Sequence, residues 1–101
     1  MAAKTLGGWV VVNHGMRSWW HVQRLLVAWG VASMSLGRRP SQNEVIDGSG
    51  LSVSTYMRDL EFFRRVFPGR EPFDLWMQLY EAREVRRGTP ADVVFGARWS
   101  A

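Results

Sequence analysis

Between residues 37 and 72 the chain is punctuated so closely by helix stop and start signals that only short helices, packed against one another, fit its length. Gly37 ends the segment before it, and Arg38-Arg39-Pro40 leads away, because proline disfavours helix in the residue that precedes it. Ser41-Gln42-Asn43-Glu44 is a capping box: the Ser41 hydroxyl accepts from the Glu44 N–H, and the Glu44 carboxylate accepts from the Ser41 N–H. The helix it opens is short, with Val45 and Ile46 as apolar anchors and Gly48 and Gly50 closing it. Ser52 is the N-cap of the next helix, which places Val53, Tyr56, Leu60, Phe63 and Phe67 on one face and stops at Pro68-Gly69. Pro72 opens another, with Phe73, Trp76, Met77, Tyr80 and Val85 inward, ended by Arg86-Arg87-Gly88. Thr89-Pro90-Ala91-Asp92 repeats the capping logic and begins a last short helix.

Upstream, the spacing predicts a helix from Arg17 to Met34, with Trp19, Val22, Leu26 and Trp29 as its buried stripe. Arg17, His21, Arg24 and Ala28 fall on the opposite face, and Trp20, Val27 and Val31 lie between the two, partly exposed. Trp9-Val10-Val11-Val12, bracketed by Gly7-Gly8 and Asn13-His14-Gly15, reads as a short β-branched strand. No partner strand is evident and a lone strand is unstable, so an extended arm over the helices or against another chain is expected. The fold class is therefore all-α. A single domain over 1–101 is expected, with an N-terminal arm (1–15), a trihelical core (17–67) and C-terminal helices (72–101).

Composition removes whole classes of function. With no cysteine, a disulfide scaffold, thiolate metal site, thiol nucleophile or redox motif is excluded. His14 and His21 have no third ligand near in sequence, and no Gly-rich phosphate loop or nucleophile motif is present, so no metal, cofactor or enzyme activity is expected. The carboxylates are read as solvated ion-pair partners: Asp59 near Arg58, Glu61 four before Arg65, Glu81 and Glu84 near Arg83 and Arg87. The longest uncharged stretch near the start, Thr5 to Asn13, is too short to span a bilayer, which points to a cytoplasmic protein with no membrane partner. Charge is uneven: five bases and no acid as far as Asn43, then eight acids against seven bases to Arg87. A basic half, in a chain whose 13 basic residues are Arg except for Lys4, suggests an anionic partner that guanidinium groups contact bidentately.

Two short helices joined by a Gly-containing turn form the layout of a helix-turn-helix. Arg39-Pro40-Ser41-Gln42-Asn43-Glu44-Val45-Ile46 followed by Gly50-Leu51-Ser52-Val53-Ser54-Thr55-Tyr56-Met57-Arg58-Asp59-Leu60 resembles the DNA-binding core of bacterial and bacteriophage helix-turn-helix regulators, over about residues 39–67. Leu51 and Tyr56 fill the angle between the helices, and Leu60 anchors the second to the first. Ile46 stands where the family carries a small residue, which implies a wider crossing. The resemblance implies double-stranded DNA as partner and a small, phage-encoded transcriptional regulator. Val53, Ser54, Thr55, Met57 and Arg58 would then begin the recognition helix, with Arg58 the candidate for bidentate contact with guanine. Ser41, Ser52, Arg38 and Arg39 would face phosphates.

Six tryptophans are more than a core of this size can enclose. Trp19, Trp29 and Trp76 are expected in the core. Trp9 and Trp20, with Val27 and Val31, are expected at a protein interface, through which the chain forms a homodimer or binds a host protein. The alternative function is accordingly a protein-interaction module in which the helix-turn-helix is only a scaffold.

Overall fold

The computed structural model describes residues 5–86, with side chains as far as residue 82, and every regular element among them is a helix. These are α1 (Leu6–His14), α2 (Met16–Leu36), α3 (Gln42–Ser49), α4 (Val53–Val66) and α5 (Pro72–Arg86). The last helix expected from Thr89, Trp99 and the side chains of Arg83 to Arg87 lie outside the described residues. No described helix is long and apolar enough to cross a membrane.

The longest helix, α2, is the axis on which the other four pack. Its sequence allows this because apolar or small side chains cover most of its circumference: Val22, Leu25, Leu26, Ala28, Trp29 and Ala32 are all buried. Trp19 packs part-buried against this core, whereas Trp20, Val27 and Val31 are exposed as expected. The opposite face is not uniformly exposed, since His21 and Ala28 are buried. Helical periodicity locates a stripe but cannot say how many neighbours surround it, and α2 has four among the described elements.

The N-terminal segment corrects the extended-arm reading, because Trp9 to Val12 lie inside α1. Thr5 caps this helix, its Oγ1 accepting from the Gly8 N–H at 3.0 Å. A helix bonds its own backbone groups, which an unpaired strand cannot do, and Val10 is then completely buried against the core. Trp9 stacks on Phe67 at 5.8 Å between ring centroids, so it is partly used inside the molecule. On the other side, α5 buries Phe73 and Leu75 and lays the Trp76 indole on Gly30, where a Cβ would overlap the ring. Trp76 and Met77 are part-buried against the core, and Trp29 is buried within it.

In the middle, the capping-box start of α3 and the Ser52 start of α4 are present as read. Gly48 does not close α3, which continues to Ser49, and Val53 points outward with 61% of its surface exposed. Asp59 overturns a further expectation. It is fully buried and pairs with α2 rather than with Arg58. The Arg24 Nε–H and a second guanidinium N–H donate to the two Asp59 oxygens at 2.7 Å each, and His21 Nδ1 lies 2.6 Å from Oδ1. This hydrogen bond and charge to Asp59 raise the Arg24 pKa. Phe62 covers the cluster by stacking on the His21 ring at 4.1 Å.

Asp59 is fully buried while Arg24 keeps 34% of its side chain exposed, so Asp59→Ala should lower unfolding free energy by about 3 kcal/mol, the low end of the cost of breaking a buried pair. Glu61→Ala, which breaks only the exposed 3.4 Å contact with Arg65, should change it by no more than about 0.5 kcal/mol. Urea denaturation of the two variants checks the contrast.

Candidate nucleic-acid interface

The link between α3 and α4 is three residues long, Gly50 to Ser52, and its geometry follows from small polar side chains. Gly50 caps α3 in the left-handed region at φ 73°, which costs a residue with a Cβ about 1–2 kcal/mol. The Ser49 hydroxyl donates to the Ile46 carbonyl at 2.8 Å and accepts from the Leu51 N–H at 3.0 Å, so it bridges the last turn of α3 and the link. Ser52 Oγ then accepts from the Thr55 N–H at 3.2 Å. Ile46 is part-buried against the core.

One face of α4 is committed to the fold. Tyr56, Asp59, Leu60, Phe63 and Val66 are buried along it. The Trp29 Nε1–H donates to the Tyr56 hydroxyl at 3.2 Å, and that hydroxyl donates to Gln42 Oε1 at 3.4 Å. The chain ties α2, α4 and the first residue of α3 together. Burial holds the Tyr56 phenol above its ordinary pKa, so this bridge stays protonated at neutral pH.

The outward face begins with the residues singled out in the sequence. Val53, Ser54, Met57 and Arg58 are exposed on the first turns of α4, and Thr55 is half-buried. Among the described residues Arg58 has neither an ion pair nor a hydrogen bond. The hydroxyls of Ser52 and Ser54 are 3.2 Å apart, and Ser52 also donates to Thr55 Oγ1 at 2.9 Å, so these groups form a polar rim at the helix start.

The loop arginines are engaged elsewhere. Arg38 forms a two-pronged pair with Glu44, at 2.9 and 2.6 Å, which closes the capping box from outside. Its guanidinium is paired with this carboxylate while 54% of its side chain stays exposed. Arg39 lies over the Phe73 ring at 4.9 Å with Asp74 at 3.7 Å, and so fastens the loop to α5. Ser41 Oγ is used by the Glu44 N–H at 3.2 Å, and the Ser41 N–H donates to Glu44 Oε1 at 2.9 Å. Sequence reading recognised the capping box but not its arginine, because Arg38 is six residues away across a proline and no local rule pairs them.

Sequence reasoning also missed Arg17, Phe62 and Arg65. Both guanidinium groups lie over the Phe62 ring, at 5.9 Å for Arg17 and 5.0 Å for Arg65. Only the packing of α2 on α4 brings Arg17 there. The expected protein-contact residues separate into two places: Trp9 near Phe67, and Trp20, Val27 and Val31 along α2 with Met34. A cavity of about 250 Å³ beside this stripe is lined by Arg24, Val27, Ala28, Val31, Gly48 and Leu51. Among the described residues no group of three His, Asp or Glu side chains could hold a metal ion. Comparisons of the chain with protein-family models, with curated proteins and with solved structures found no match.

The Arg38 hydrogen bonds, with the Ser41 N–H second, lower the Glu44 pKa from 4.5 to about 2. A depressed carboxylate adds stability that is complete above its unfolded value and is lost as pH falls through the folded one. The contribution of Glu44 should therefore persist above about pH 4.5 and disappear between there and about pH 2. Thermal unfolding from pH 2 to 6 should show a shallower acid dependence for Glu44→Gln than for the parent.

Proposed function

We propose that this chain binds double-stranded DNA sequence-specifically through α3, its three-residue link and α4, and acts as a small transcriptional regulator. The observation that carries the reading is the division of α4. Its inner face is locked to α2 by Asp59 and Tyr56, with Phe63 buried, while Val53, Ser54, Met57 and Arg58, unpaired among the described residues, line the outward face of its first turns. A major groove admits a helix presented this way, and the N-terminal end of a recognition helix meets base edges. Arg58 is the guanine-reading group, and Val53 or the Thr55 methyl contacts a thymine methyl. Arg38, paired with Glu44 but 54% exposed, and Arg39, 56% exposed, face the backbone in this reading.

Anisotropy titrations at two salt concentrations should show binding that weakens steeply with salt, as counterion release requires. On a selected site Arg58→Ala should cost about 1–3 kcal/mol and relax discrimination at one position. Folded parent protein that binds no duplex at low micromolar concentration and low salt overturns the reading.

A second copy of the chain is the partner that best fits the stripe on α2. Trp20, Val27, Val31 and Met34 are exposed at coiled-coil spacing, with Trp20 retaining 63% of its surface. An antiparallel pairing about Val27 sets Trp20 against Met34 of the second copy, and the arrangement closes on itself by two-fold symmetry. Two copies would also present two recognition helices. Light scattering should give twice the 11.6 kDa chain mass, and Val27→Arg should return it to one copy with the fold retained. A monomer at tens of micromolar removes the dimer.

A further inference from the structure

Besides the loop arginines, a second basic cluster lies where α2 packs on α4. Phe62 is held flat by its stack on His21, 4.1 Å between centroids and 6° between planes, and His21 is itself fixed by Asp59. Over that anchored ring lie two guanidinium groups from different helices, Arg17 in the first turn of α2 and Arg65 in the last turn of α4. Arg58 lies one helical turn before Phe62, on the same side of α4. The first turn of α2 carries no acid, and Asp59 behind the ring is fully buried and paired. Among the described residues Glu61 is the exposed carboxylate paired with this cluster, its Oε1 accepting from Arg65 at 3.4 Å. Cation–aromatic contact restrains the long side chains, and both residues are exposed.

We infer that Arg17 and Arg65 form a phosphodiester clamp that grips the DNA backbone beside the groove α4 enters. The inference rests on the DNA-binding reading and adds to it a backbone contact beyond the loop and the first turns of α4. The spacing suits the role. Arg65 lies twelve residues beyond Val53, about 18 Å along the helix axis. The major groove is about 12 Å wide, so with α4 set across the groove and its first turns on base edges, Arg65 and its neighbour Arg17 stand at the backbone. Such contacts fix orientation and carry no sequence information.

The test measures log K against log salt for one selected duplex and one unrelated duplex of equal length, with parent, Arg17→Ala, Arg65→Ala and Arg17→Lys. Each alanine variant should bind both duplexes more weakly by the same factor and lower the salt slope by about 0.9 for the phosphate contact it loses. Arg17→Lys should keep the slope, because it keeps the charge. Glu61→Gln, which removes the nearby carboxylate, should tighten both duplexes equally. Circular dichroism melting confirms that each variant is folded. If the parent binds and both alanine variants keep its slope, the clamp is wrong while recognition by α4 stands. If alanine at 17 or 65 changes only the ratio between the duplexes, these residues read bases and the clamp is again wrong. A folded parent that binds neither duplex removes both proposals together.

Discussion

The Asp59 carboxylate is the interaction on which the arrangement of α2 and α4 depends. A fully buried carboxylate is tolerated only with its charge balanced and its oxygens hydrogen-bonded, and here both partners come from α2, one turn apart. Two ligands on one helix set both the rotation of α4 about its axis and its register along α2. Apolar contacts such as Leu60 and Phe63 supply burial but tolerate sliding, since one hydrophobic neighbour substitutes for another. A bidentate guanidinium pair does not.

Once α4 is fixed in rotation, the roles of the arginines follow. Arg24 is internal to the fold, Arg38 extends a helix cap, and Arg39 fastens a loop to α5. Among the described residues Arg58 has no intramolecular partner, and Arg17 and Arg65 gather over one aromatic ring. The net charge of +4 therefore understates how unevenly basic groups are available to a ligand. The same rotation turns Val53 and Met57 outward and leaves the α2 stripe of Trp20, Val27 and Val31 uncovered by any described element.

Much of the candidate interface was legible because helix ends are local chemistry. The Ser41–Glu44 box, the Gly50 cap and the Ser52 cap each involve groups within a few residues of one another, so their spacing in sequence is their spacing in space. The same logic missed Thr5, whose capping of Gly8 was hidden by the β-branched run that follows. Val10 to Val12 have strand propensity, yet without a second strand their backbone groups find partners only in a helix.

The sequence by itself determined where helices begin and end between residues 41 and 72, and that Trp20, Val27 and Val31 would lie off the core stripe. It did so because capping and periodicity act over one or two turns. Tertiary structure alone decided that Asp59 is internal, that His21 is buried, that Arg38 belongs to Glu44 and that Arg17 shares a ring with Arg65. Most of those partners are separated by tens of residues, and Arg38 and Glu44 by a proline-containing loop, so their pairing depends on which helix packs where. A carboxylate beside an arginine in sequence looks solvated until a second helix, bringing its own arginine and histidine, closes over it.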